Sequence, residues 1–177
     1  MKKILVIGAS NSSTSINRTL AAHAGTLLKD CQYYVLDLND FEMPLYSPER
    51  EAEDGIPGEA VEFVEHIQGA DAIILSLAEH NGSYTAAFKN VLDWASRHEQ
   101  KLWSAKPMLL LSTSPGARGG ASVMAAANAT FPHLGADIKA SFSLPSYNDN
   151  FCVETGITDP VLASQFQSVV DHFSKAL

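Results

Sequence analysis

The sequence has few cysteines and no long apolar run. Its 177 residues include two cysteines, Cys31 and Cys152, and neither lies in a CxxC pair or near histidines at zinc spacing. We expect both to be packing thiols and expect no metal site. No stretch reaches the roughly 18 apolar residues of a membrane helix, and the apolar run after Met1 is too short for a signal peptide. Residues 1–177 are expected to form one cytoplasmic domain without a membrane partner.

Positive charge is also scarce. Lysine and arginine together number 12 against 20 aspartates and glutamates, which gives a net charge of −8. A chain this acidic is not expected to bind nucleic acid or an anionic membrane. A small anionic ligand is still compatible, because main-chain N–H groups can bind an anion locally. The GxxxxGK[ST] and GxGxxG phosphate-binding motifs are both absent.

Strand and helix patterns alternate along the chain. Strands are predicted at 3–8, 33–38, 71–77, 107–112 and 138–143, and helices at 16–29, 58–69, 83–97, 121–134 and 159–176. The runs ILVI, AIIL and MLLL are typical of central parallel strands. Two α/β folds have this size, and five strands favour the flavodoxin-like sheet of order 2-1-3-4-5, with helices on both faces, over the six-stranded dinucleotide fold. The segment 39–57 is predicted to be an irregular surface loop.

The loop after the first strand carries five hydroxyl side chains in six residues, SNSSTS at 10–15. In the predicted sheet it lies at the carboxyl edge, where ligands bind in open α/β folds. Unpaired N–H groups at the following helix terminus, together with hydroxyls, suit a phosphate monoester. The alternative is that the hydroxyls only cap the helix.

The loop after the third predicted strand contains Asn81-Gly82, which predicts a tight turn with positive φ. Ser83 is expected to cap the next helix. His80 would either contact a flat ring or be a solvated loop histidine. The helix itself has more large apolar residues than one narrow stripe needs. Core packing alone is one explanation, and a subunit interface in addition to it is preferred.

The loop after the fourth predicted strand reads STSPGARGG. Pro115 restricts the main chain, while Gly116, Gly119 and Gly120 would let it approach a ligand without a Cβ clash. Arg118 is the only cation in this loop. It would bind a ligand phosphate, contact a neighbouring subunit or simply be solvated.

Together these loops resemble the NAD(P)H-dependent FMN reductases, a flavodoxin-like group that includes quinone, chromate and azo-dye reductases. ASNSSTSIN resembles the family's GSxRxxSxN, AEHNGSYTAAFKNVLDW resembles PEYNGS…LKNAIDW, and STSPGARGG resembles SPGxxGG. The resemblance spans roughly residues 3–135. The family's arginine falls on Ser12, its proline on Ala78 and its tyrosine on His80.

The resemblance implies FMN as cofactor and assigns its contacts by position. Ser10, Ser12, Ser15, Ile16 and Asn17 would hold the phosphate; Glu79, His80, Asn81 and Gly82 would line the isoalloxazine ring; and Ser112, Ser114, Pro115, Gly116 and Gly119 would lie near its other side or the ribityl chain. The flavin carries the chemistry, so no catalytic side chain is expected.

The resemblance also implies ping-pong hydride transfer from NADPH or NADH to a quinone, azo compound, metal oxyanion or free flavin. It implies a homodimer or homotetramer, with the helix that bears Trp94 near the contact. Two alternatives are an FMN electron carrier that NAD(P)H does not reduce, and a flavin-free binding protein on the same fold. The arginine missing at Ser12 motivates the second alternative.

Overall fold

A five-stranded parallel sheet lies between two layers of helices in the computed structural model, which describes residues 1–177. The strands are β1 (Lys2–Ala9), β2 (Cys31–Leu36), β3 (Ala72–Leu77), β4 (Pro107–Thr113) and β5 (Asp137–Leu144). Their spatial order is β2-β1-β3-β4-β5. This confirms the predicted flavodoxin-like class and places β1 and β3 side by side at the centre.

The sheet separates two apolar cores, because successive strand residues point to opposite faces. Ile4 and Val6 of β1 pack with α1 (Ile16–Thr26) and α7 (Pro160–Ser174). Leu5 and Ile7 pack with the other layer, formed by α3 (Gly58–Gly69), α4 (Ala86–His98) and α5 (Ala121–Thr130). None of the helices is both long and apolar enough to cross a bilayer.

Capping residues explain where the observed elements differ from the predicted ones. β2 ends at Leu36, two residues early, because Asp37 caps a 3-10 helix over Leu38–Phe41. α4 begins at Ala86 because Thr85, not Ser83, accepts the capping hydrogen bond from Phe88. α5 ends at Thr130, and a 3-10 helix containing Pro132 follows over Phe131–Leu134.

Four further short elements were not predicted. α2 (Pro48–Asp54) lies inside the segment predicted to be irregular; Ser47 caps it, and proline occupies its first position. α6 (Tyr147–Asn150) and the hairpin of β6 (Phe151–Cys152) and β7 (Gly156–Ile157) follow β5. Helices and strands of two to four residues are too short to show a hydrophobic periodicity in the sequence.

The large apolar residues of α4 are buried within this one chain, namely Phe88, Val91, Leu92, Trp94 and Ala95. The segment before α2 packs on Trp94, whose indole N–H donates to the Pro44 carbonyl at 2.7 Å. An ion pair between Arg97 and Glu51 at 2.9 Å then joins α4 to α2. The surplus of apolar side chains therefore reflects an intramolecular contact and gives no support for a subunit interface.

Helix α1 approaches β1 closely at Gly8. A Cβ added there would lie 2.5 Å from both the N and the Cα of Arg18, which are main-chain atoms that cannot move aside. We predict that Gly8→Ala lowers the free energy of unfolding by about 3 kcal/mol or more, beyond ordinary overpacking. Urea denaturation measures this. Gly69→Ala, where a Cβ meets nothing within 4 Å, is the control, and equal stability of the two variants would contradict the close approach.

His23 of α1 lies between the rings of Phe151 and Phe166. Burial lowers the pKa of its imidazole below the usual 6.5, so the unfolded chain takes up the proton first as the pH falls. We therefore predict that stability declines as the pH falls from 6.5 to the lowered pKa.

Urea denaturation at about pH 7.5 and about pH 5.5 measures this dependence. His23→Gln should have a shallower pH dependence than the wild type, whatever its packing cost. His172→Gln, at an exposed position of α7, should retain the full dependence. An unchanged slope in His23→Gln would show that another group is responsible.

Candidate functional site

The loops after β1, β3 and β4 meet at the carboxyl edge of the sheet and enclose a cleft of about 280 Å³. Nine of the fourteen predicted site residues line it: Ser10, Ser12, Ser15, Ile16, Asn17, Glu79, His80, Ser114 and Pro115. Thr14, Ala78 and Thr113 complete the lining. The structure thus brings together three segments that are roughly 35 to 65 residues apart in sequence.

The Asn17 side chain joins the elements that carry these loops. Its oxygen accepts hydrogen bonds from the Ser76 hydroxyl at 2.7 Å and the Thr113 N–H at 3.1 Å, and its amide nitrogen donates to the Thr113 carbonyl at 3.1 Å. We call this set the Asn17 bridge. It connects α1 to β3 and β4 in the buried interior. The amide side chain is therefore committed to the scaffold, and Asn17 faces the cleft with its main-chain N–H available.

The loop at 10–17 offers hydrogen-bond donors and no side-chain charge. The main-chain N–H groups of Asn11, Ser13, Ile16 and Asn17 have no acceptor in the chain. Ser15 caps α1 by accepting from the Arg18 N–H at 3.1 Å, and its hydroxyl proton is still free to donate. These donors, at a helix N-terminus, fit a phosphate group.

The turn after β3 has the predicted conformation. Asn81 and Gly82 have φ of 52° and 76°, and the two main-chain hydrogen bonds between His80 and Ser83 close the turn at 3.0 and 3.1 Å. Positive φ at both central residues is typical of a type I′ turn. Asn81 and Gly82 lie exposed at its tip, beside the cleft and not in its lining.

Glu79 connects this turn to α5. Its carboxylate accepts the Val123 N–H at 2.8 Å, in the first turn of that helix. The contact satisfies one of the unpaired N–H groups there and places negative charge at the positive end of the helix dipole. The carboxylate is therefore bound to α5, and Glu79 contributes to the lining of the cleft.

In the loop after β4, two of the predicted residues have a structural role. Ser112 is fully buried, and its hydroxyl donates to the Gly119 carbonyl at 2.7 Å. Gly119 has φ of 58°, and a Cβ there would lie 2.6 Å from the Leu144 carbonyl oxygen. Its positive φ and its contact with the end of β5 are thus sufficient to require glycine. Gly116 is exposed outside the lining, and Arg118 contacts Ser122 at 3.3 Å.

Sequence reasoning did not assign Thr14, Ala78 and Thr113 to the site. All three lie within the loops that were predicted to form the site, so their position in those loops would have been enough to include them. Arg18, which contacts Asp37 and the Ser13 carbonyl in the loop at 10–17, was likewise not predicted to belong to the site. No sequence signal links Arg18 to Asp37, because the two residues belong to different elements.

Comparisons with known proteins identify the family to which the chain belongs. The family model described as NADPH-dependent FMN reductase matches residues 2–149. A 2-hydroxy-1,4-benzoquinone reductase from a Burkholderia species is 36% identical over 121 residues, which cover 67% of this chain and 64% of the relative. An NAD(P)H-dependent FMN reductase of Pseudomonas aeruginosa is 33% identical over 120 residues, covering 67% and 63% of the two chains. The chain thus spans slightly less than two thirds of the length of these curated relatives.

Among solved structures, the flavoenzyme NAD(P)H:(acceptor) oxidoreductase FerB of Paracoccus denitrificans superposes with a TM-score of 0.79 at 26% identity. The match covers 99% of this chain and 96% of FerB. An apo NADH:FMN oxidoreductase has a TM-score of 0.76 at 22% identity, covering 100% and 90%, which shows a shared fold. By the family match over most of its length, the chain belongs to the NADPH-dependent FMN reductase family.

Proposed function

We propose that this chain binds FMN in the cleft and uses NADPH or NADH to reduce a small electron acceptor. The observation that supports this proposal most strongly is the set of unpartnered N–H groups and hydroxyls at residues 10–17. They lie at the N-terminus of α1, adjacent to the turn after β3. Family membership supports the same cofactor. The donors suit the single phosphate of FMN, and the adjoining loops would contact its ring system.

Each loop has a distinct part in this proposal. The N–H groups of Ile16 and Asn17, with the hydroxyls of Ser12 and Ser15, would hold the phosphate. Glu79 and His80 would lie along the ring, and Ser114 and Pro115 would close the opposite side. Because Ser12 replaces the family's arginine, the phosphate would be held by dipoles and hydrogen bonds without a cationic side chain.

Bound FMN would supply hydride transfer, and the shared cleft favours a ping-pong order in which donor and acceptor occupy it in turn. The chain's own residues would bind and orient the reactants, and no acid or base is assigned. Quinones are the preferred acceptor class, because relatives are named quinone reductases. Azo compounds, metal oxyanions and free flavin are further candidates.

A homodimer or homotetramer is part of the proposal on the family resemblance alone. The apolar face of α4 does not support it, since Pro44 and its neighbours already cover Trp94. A cytoplasmic location stays a prediction from the sequence.

The decisive experiment mixes FMN-loaded protein anaerobically with NADPH or NADH and then adds a benzoquinone. We predict bleaching of the flavin absorption bands, followed by their recovery when the quinone is added. A protein that binds FMN but stays oxidised would be an electron carrier. A protein that FMN fails to titrate would be a flavin-free member of the fold, and either result rejects the proposed reductase.

Substitutions of Ser12 test where the phosphate lies. Ser12 is exposed at the cleft, so a charge there should change binding with little effect on folding. Ser12→Arg should lower the Kd for FMN by about tenfold through a charge-assisted hydrogen bond, and Ser12→Glu should raise it by about tenfold or more.

Fluorescence titration of FMN measures both effects. Gln100→Arg and Gln100→Glu make the same charge changes at an exposed position just after α4, away from the cleft-lining residues. If the two Ser12 variants bound FMN equally well, the phosphate would have to lie elsewhere.

A further inference from the structure

We infer that Arg18 and Asp37 form a clamp that holds the proposed phosphate-binding loop, residues 10–17, in its binding shape. One terminal nitrogen of Arg18 contacts the Asp37 carboxylate at 2.7 Å, and the other donates to the Ser13 carbonyl at 2.6 Å. The clamp thus connects the loop to the end of β2. Its role as a positioning device rests on the proposed function, because it orders the site assigned to the FMN phosphate.

Both ends of the clamp are themselves fixed. The main chain of Arg18 packs directly on Gly8, and its N–H donates to the Ser15 hydroxyl. At the other end, the Asp37 carboxylate accepts from the main-chain and side-chain nitrogens of Asn39 at 3.0 and 2.8 Å. The main-chain N–H of Asn39, followed by its side chain and Arg18, lowers the pKa of the Asp37 carboxyl. The carboxylate therefore stays ionised near neutral pH and keeps its partner.

The clamp acts from behind the loop and not on the ligand. Arg18 is absent from the cleft lining and instead lines a groove with His23 and Val35. Both of its terminal nitrogens already have acceptors, and Asp37 neutralises its charge. Arg18 therefore supplies order to the anion site rather than positive charge.

Peptide geometry carries this order to the front of the loop. The carbonyl of Ser13 and the N–H of Thr14 belong to one planar trans peptide, so they point in opposite directions. While Arg18 holds the carbonyl behind the loop, the Thr14 N–H is directed to the Ser12 hydroxyl, which accepts it at 3.3 Å. Ser12 and Thr14 both line the cleft, so a contact behind the loop fixes two groups in front of it.

The test compares binding of FMN with binding of riboflavin, which lacks the phosphate. We predict that Arg18→Met raises the Kd for FMN by about tenfold, as expected for loss of charge-assisted hydrogen bonds, and leaves riboflavin binding within about twofold. Asp37→Asn should act in the same direction. The double variant should be no worse than Arg18→Met alone, because the two residues act as one unit. Arg18→Lys should recover only part of the loss, since one ammonium group lacks the forked geometry.

Arg97→Met is the matched control, because it removes an arginine–carboxylate pair that joins α2 to α4 and leaves the loop intact. Hydrogen exchange of the amides at 10–17 provides a readout without flavin, and we expect faster exchange in Arg18→Met than in Arg97→Met. Unchanged exchange, unchanged FMN affinity, or equal weakening of FMN and riboflavin would overturn the clamp. If wild-type protein binds no FMN, the proposed function fails, and the exchange rates still decide whether the clamp orders the loop.

Discussion

The hydrogen bonds of one buried amide, the Asn17 side chain, hold the site together. The three loops come from different strands, and parallel strands alone fix only the edge at which the loops emerge. The Asn17 bridge ties the first turn of α1 to Ser76 and Thr113, so the loops meet at a defined separation. Because the group is buried, breaking the bridge would leave unsatisfied polar atoms in the interior, which costs far more than an exposed hydrogen bond would.

This use of polar side chains for the scaffold determines what is left for a ligand. Hydrogen bonds to neighbouring main-chain groups occupy polar side-chain atoms of Asn17, Ser112 and Glu79. The cleft is therefore left with unpartnered N–H groups and exposed hydroxyls, which are weak donors individually but are fixed in place. Preorganised dipoles bind an anion without the entropy loss that accompanies the ordering of long cationic side chains. A site poor in charge is therefore physically reasonable even in an acidic protein.

Much of the fold was predictable because its signals are local. Continuous apolar runs identified β1, β3 and β4, and helical periodicity gave α3 with its observed bounds of 58–69. Residue roles within the site were less predictable, because they depend on contacts between distant segments. Asn17 and Thr113 are 96 residues apart. The main chain of Leu144 lies so close to Gly119 that a Cβ there would clash. Likewise, nothing in the α4 sequence indicated that Pro44 would cover Trp94.

An arginine at position 12, which the family has and this chain lacks, would contribute to binding in a different way from Arg18. A guanidinium in front of the loop would attract the phosphate by charge, an effect that salt screens. Arg18 is paired with Asp37 behind the loop and contributes no net charge, so any gain comes from reduced loop disorder. Under the proposed function, FMN binding would then depend only weakly on ionic strength. Under the same proposal, donors gathered at one helix N-terminus would hold one phosphate group, which suits the monoester of FMN better than the pyrophosphate of a dinucleotide.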